Sequence, residues 1–178
     1  YVADGEAGLQ VIDITNPASP QIVGSVDTPI YARGVAVWVS YAYVADDESG
    51  LQVIDITNPA SPQIVGGVGT PSAARGVAIS GDYAYVADDE SGLQVINITN
   101  PASPQVVGSV DMPSRALGVA ISGDYVYVTN VELGLQILPA QCTTPVGVQE
   151  DLPVSALPRL TQNHPNPFNP STTLSYEL

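Results

Sequence analysis

Tyr1-Val2-Ala3-Asp4 returns as Tyr43-Val44-Ala45-Asp46, as Tyr85-Val86-Ala87-Asp88 and, altered, as Tyr127-Val128-Thr129-Asn130, each time 42 residues further on. Between the first two registers the copy is literal. Leu9 to Gly24 and Leu51 to Gly66 both read LQVIDITNPASPQIVG, and the third copy, Leu93 to Gly108, changes only Asn97 and Val106. A period of about 40 to 45 residues filled with short β-branched runs is the signature of a β-propeller blade or a related β-repeat.

One full unit reads as four antiparallel strands. Gly76-Val77-Ala78-Ile79 is a short apolar run, and Ser80-Gly81-Asp82 is the polar, glycine-containing turn of a tight hairpin. Tyr83 to Ala87 is the second strand, Asp88 to Gly92 interrupts it, and Leu93 to Ile98 is the third. Thr99 to Pro104 places two prolines where no ladder hydrogen bond can be donated, so it is a connection, and Gln105 to Val110 is the fourth strand. Leu51 to Ile56 carries apolar side chains on both faces, as expected of a sheet held between two others. Gly34, Gly76 and Gly118, with Ala36, Ala78 and Ala120 two positions on, keep the first strands slim enough to line a crowded axis.

On these residues the units resemble LVIVD repeats of bacterial and archaeal surface proteins, and the GVA(V/I)SGDYAYVAD segment is similar to YVTN-type propeller repeats. The resemblance covers residues 1–138 and implies an extracellular binding or structural protein, with no assigned reaction. Trp38-Val39-Ser40 departs from Ser80-Gly81-Asp82 and Ser122-Gly123-Asp124, so the first hairpin turn is expected to be distorted. The expected fold class is all-β: a propeller of four-stranded antiparallel blades with 42-residue repeats. Strand counting predicts roughly three and a half blades, an incomplete ring that opens in a second strand and stops at a third, Leu133 to Leu138. With Met112 the only methionine, the N-terminus is expected to be cut away, and the lost region is expected to supply the closing strand.

The last forty or so residues are a different material. Residues 139–157 have no period, contain the sole Cys142, and read as a linker with prolines at 139, 145 and 153. Residues 158–178 include QNHPNPFNPSTT, which is similar to the start of the type A C-terminal sorting domain of the type IX secretion system. Asn163, Pro165, Asn166, Pro167, Phe168, Asn169 and Pro170 carry that resemblance, and His164 stands where the pattern commonly has Tyr. It implies a truncated β sorting domain, the type IX machinery as partner, and a secreted or outer-surface location.

Composition narrows the partners. Eighteen acidic residues stand against four basic ones, all arginine, for a net charge of −14. Such a surface repels phosphate backbones and anionic lipid, so nucleic acid is not an expected partner. No apolar stretch approaches the length of a transmembrane segment, and one cysteine forms no internal disulfide framework.

The candidate chemistry lies in the loops. Chain direction alternates, so the loops after second strands and those after fourth strands emerge on one face. The first kind holds Asp46-Asp47-Glu48, Asp88-Asp89-Glu90 and, weakened, Asn130 and Glu132; the second holds Arg33 and Arg75. Two readings compete. In one, each arginine pairs with an acidic loop of its own or a neighbouring blade, and aspartates cap turns. In the other, Asp46, Asp47, Asp88 and Asp89 form a carboxylate ring for Ca²⁺, while Arg33, Arg75, Glu48 and Glu90 make a ligand face. DDESG lacks the alternating acidic spacing of a calcium loop, which favours the first reading, and no other cofactor is expected.

The remaining residues point to structure. His164 lies in the tail, so the repeats hold no histidine to serve as base or ligand, and Cys142 lies in the linker. Asp13, Asp55 and Asn97 end third strands where a side-chain oxygen can hold turn N–H groups, a role Asn fills as well as Asp. Tyrosines 41, 43, 83, 85, 125 and 127 read as inter-blade packing. No catalytic residue is assigned. The sequence thus predicts a secreted or cell-surface binding or scaffolding propeller for an unknown extracellular protein or glycan. The alternative is a propeller hydrolase or lyase acting on an extracellular polymer.

Overall fold

In the computed structural model, which describes residues 1–140, every element is a β-strand. The first blade is β1 (Val2–Ala3), β2 (Leu9–Asp13) and β3 (Gln21–Val26). The second is β4 (Gly34–Trp38), β5 (Tyr41–Ala45), β6 (Leu51–Asp55) and β7 (Gln63–Val68). The third is β8 (Gly76–Ser80), β9 (Tyr83–Ala87), β10 (Leu93–Asn97) and β11 (Gln105–Val110). The fourth is β12 (Ala116–Ser122), β13 (Tyr125–Asn130) and β14 (Gly134–Pro139). Each sheet follows chain order and is antiparallel throughout, giving blades of three, four, four and three strands.

The strand boundaries follow local chemistry. Ser80 pairs with Tyr83 across a two-residue turn that opens on Gly81 at φ 54°, the place where a hairpin twisted like its strands wants glycine. The first hairpin keeps that register, Trp38 opposite Tyr41, but Val39 takes the glycine's place at φ 54°. The expected distortion is therefore confined to one strained residue. After each third strand, the Oδ1 of Asp13, Asp55 or Asn97 accepts the N–H of Thr15, Thr57 or Thr99 at 2.8, 2.8 and 3.0 Å. The fourth strands then rejoin with the same one-residue bulge in each blade, between Val11 and Ile12, Val53 and Ile54, and Val95 and Ile96.

The core lies between the sheets. Tyr43, Leu51 and Val53 of the second blade pack with Val86, Ile96 and Ile98 of the third, and Tyr85 and Leu93 of the third with Val126 and Val128 of the fourth. β5, β6 and β9 are buried along nearly their whole length, which for β6 is what its two-faced apolar pattern predicts. Tyr43 and Tyr85 serve the inter-blade role expected of them, whereas Tyr125 is exposed. The inner strands β4, β8 and β12 run side by side. A Cβ on Gly34 would sit 3.2 Å from the Gly76 Cα, and one on Gly76 would sit 3.3 Å from the Gly118 Cα. β14 runs on through Pro139, one residue past the expected end of the repeats, while Cys142, the rest of the linker and the sorting motif lie outside the described residues.

Candidate functional site

The loops after second strands and the connections before inner strands meet on one face, as the alternation of chain direction requires. Backbone hydrogen bonds join them from blade to blade. Asp47 N donates to Ala74 O at 3.2 Å and Ala74 N to Asp47 O at 2.9 Å; Asp89 and Ala116 repeat the exchange at the same distances, and Gly5 with Ala32 at 3.0 and 3.1 Å. Each clasp puts the loop residue in the left-handed region, Gly5 at φ 56°, Asp47 at 48° and Asp89 at 46°. Glycine adopts that conformation freely, and aspartate is one of the few other residues that tolerates it.

The side chains of Asp47 and Asp89 then build a line of alternating charge. Arg33 donates from Nε and Nη2 to Asp47 Oδ2 at 2.8 and 2.6 Å, and Arg75 Nη1 lies 3.6 Å from the same oxygen. Arg75 also donates from Nε and Nη2 to Asp89 Oδ2 at 2.9 and 2.7 Å. Arg115 closes the line, with Nη2 on Asp89 Oδ2 at 2.7 Å and Nε on Oδ1. The order Arg33, Asp47, Arg75, Asp89, Arg115 crosses three blades and takes in every basic side chain of the described residues. Hydrogen bonds from Arg115, then those from Arg75, hold the buried Asp89 carboxyl down at about 2, and Asp89 in turn raises Arg115.

The preceding aspartates face other partners. Asp46 accepts the Thr28 hydroxyl at 2.6 Å and the Ile30 N–H at 3.1 Å, and Asp88 accepts the Thr70 hydroxyl at 2.6 Å and the Ser72 N–H at 3.0 Å. Both are buried and tie the incoming connection to the loop of the same blade. Burial pushes the Asp88 carboxyl up, against the lowering pull of the Thr70 and Ser72 bonds. In the fourth blade Asn130 stands in place of this aspartate and Met112 in place of the threonine, so the buried charge and its hydroxyl partner disappear together. The Asn130 Oδ1 accepts the Leu133 N–H, while its buried Nδ2 has no partner.

The four aspartates considered for Ca²⁺ thus split into two pairs with separate protein partners. Among the described residues no group of three or more His, Cys, Asp or Glu is arranged to hold a metal ion. Arg33 and Arg75 belong to the charge line, and Glu48 and Glu90 are exposed beside it. The repeat register does not point to Arg115, which sits two residues before the position of Arg33 and Arg75 that Leu117 occupies. Its rarity was the available signal, as one of only four basic residues. At the first junction Gly5 replaces the aspartate. A Cβ there would come within 2.6 Å of the Tyr31 ring, and the Arg33 guanidinium lies 4.2 Å from that ring's centroid.

Four antiparallel blades joined by a repeated loop clasp define a β-propeller-like repeat protein. The LVIVD repeat model matches residues 1–28, 31–70, 71–112 and 114–138, and the chain belongs to that family. Among solved structures it is similar to the computationally designed Ika4 protein, with a TM-score of 0.59 and 13% identity over 78% of this chain and 81% of that one. The computationally designed Ika8 protein is similar with a TM-score of 0.56 and 14% identity over 68% of this chain. The match spans 37% of the Ika8 chain. No curated protein sequence matches the chain.

Proposed function

We propose that this chain is a secreted or cell-surface binding and scaffolding module that meets an extracellular protein or glycan through the loop face. One observation carries the reading: the same loop is presented at successive blades, its backbone clasped and its inner carboxylate paired, with Glu48 and Glu90 left exposed at equivalent positions. Repetition of a fixed surface suits multivalent contact, in which several weak contacts add up. Arg33, Arg75, Asp47 and Asp89 are engaged in holding neighbouring blades together, and Asp46 and Asp88 in tying each incoming connection to its own blade.

Panels of immobilised extracellular proteins and glycans, screened with the folded chain, test this reading. A ligand whose binding weakens at least tenfold in a Glu48→Gln/Glu90→Gln variant with unchanged melting temperature is expected. A ligand indifferent to both substitutions would move the binding surface elsewhere.

Export is the second half of the proposal. The QNHPNPFNPSTT segment supports recognition of residues 158–178 by the type IX machinery. Deleting residues 158–178 in a host with that machinery should leave the protein in the periplasm. Undiminished arrival at the surface or in the medium would refute the assignment.

A further inference from the structure

The second blade departs from its copies along one rim. Trp38 and Val39 stand where the third blade has Ser80 and Gly81 and the fourth has Ser122 and Gly123. Both are exposed, at 47% and 81%, and Val39 holds a φ of 54° that suits glycine. Burial therefore explains neither the apolar side chains nor the strain, and strain that no burial offsets points to function. The strand register extends the rim into a row. Trp38 pairs with Tyr41, Tyr41 with Asp55 and Asp55 with Gln63, so the four side chains share one side of the sheet. That side faces the third blade, against whose core Tyr41 packs. Both sheets of this junction are four-stranded, and the row spans three inter-strand steps, about 14 Å.

At the outer end of the row Asp55 and Gln63, with Thr57, Asn58 and Ser61, line a cavity of about 210 Å³. That is smaller than the roughly 300–1,000 Å³ of drug-sized sites and suits one sugar ring. The Thr57 N–H holds the Asp55 carboxyl below its ordinary range, so it accepts hydrogen bonds near neutrality, while the amides and hydroxyls beside it supply donors. None of the lining residues is basic. A sugar ring has a C–H-rich face and a rim of hydroxyls, which match an aromatic plate and a cavity of amides, hydroxyls and one carboxylate.

We propose that this rim of the second blade binds a neutral oligosaccharide, with one ring stacked on Trp38 and another hydrogen-bonded in the cavity of Asp55 and Gln63. The rim lies at the opposite end of the strands from the acidic loops, since β5 leads from Tyr41 here to Asp46 there. The proposal is therefore independent of the ligand read for the loop face.

Trp38 is the sole tryptophan of the 178-residue chain, so its fluorescence reports on the site directly. Titration of the full chain with cellohexaose, xylohexaose, mannohexaose and maltohexaose, up to millimolar concentration, should give a saturable emission change with at least one of them. Calorimetry with that sugar should show affinity reduced roughly tenfold or more in Trp38→Ser, which restores the side chain of the other blades, and in Gln63→Ala. Far-ultraviolet dichroism should be unchanged in both, and Gln63→Ala, which leaves the hairpin untouched, carries the test if Trp38→Ser disturbs the blade. Glu48→Gln/Glu90→Gln should bind the sugar normally. A flat emission in all four titrations, or Trp38 and Gln63 variants that bind as the unsubstituted chain does, would overturn the proposal. So would tighter binding of the cationic chitosan hexamer, because Asp55 would then be selecting a charge.

Discussion

Val39 sits at the tip of the first hairpin in a conformation its β-branched side chain opposes. Its φ of 54° matches Gly81 and Gly123, which occupy the same turn in the next two blades. An L side chain in the left-handed region costs about 1–2 kcal/mol, and glycine returns part of that through the greater freedom of its unfolded chain. Val39→Gly is therefore expected to stabilise the protein by about 1 kcal/mol. The urea midpoint should move up with an unchanged slope. A lower midpoint would mean that Val39 makes contacts worth more than its strain. At this scale the sequence was legible wherever the interaction is local. Asp13, Asp55 and Asn97 bond two residues ahead, and their identity as a pair of aspartates and an asparagine already showed an acceptor rather than a catalyst. Arg115 was not legible, because its partner Asp89 is 26 residues away in another blade and the repeat register points to Leu117 instead.

The outer strands of the blades, β3, β7 and β11, share a glycine at the same position, Gly24, Gly66 and Gly108, and the structure gives it different neighbours. A Cβ on Gly24 would lie 2.1 Å from the Pro59 carbonyl oxygen, and one on Gly66 would lie 2.3 Å from that of Pro101. Each glycine thus lets the TNPASP turn of the following blade lie directly on the strand. Among the described residues no such turn lies against Gly108, whose nearest neighbour there would be the Val95 Cβ at 3.9 Å. Gly66→Ala should force the third blade's turn off the strand, with a loss of about 1–3 kcal/mol, the usual range for overpacking. Gly108→Ala should leave the melting temperature within about a degree, because a surface substitution free of such contacts changes stability little. Equal losses in both variants would locate the cost in the strand rather than the junction. The strands themselves could be read from period and turn chemistry, since those signals lie within a blade. The need for glycine on the outer strands could not, because it arises from a turn in the next repeat.

At the scale of the whole molecule, acid should first strengthen and then weaken the fold. The chain carries a net charge of −14 near neutrality, so mutual repulsion among carboxylates opposes compactness and eases as they protonate. Asp88 acts in the same direction. Burial raises its folded value above 3.8, so its ionised form costs stability above that raised value, and the cost is relieved as pH falls through it. Asp89 acts oppositely. Held at about 2 against 3.8 in the unfolded chain, it contributes stability that is fully present above 3.8 and is lost as pH falls through about 2. Asp13 and Asp55, lowered by the N–H groups of Thr15 and Thr57, share that sign. The denaturation midpoint should therefore pass through a maximum on the mildly acidic side and drop steeply below pH 4. Asp89→Asn, which weakens the line from Arg75 to Arg115, should lower stability at neutral pH by about 1–3 kcal/mol and flatten the acid limb. Asp88→Asn should instead remove part of the rise between neutrality and the maximum. If the Asp89→Asn variant lost as much stability between pH 4 and 2 as the unsubstituted chain, the charge line would not be what acid dismantles. The exposed carboxylates, including Glu48 and Glu90, would then have to account for the whole profile.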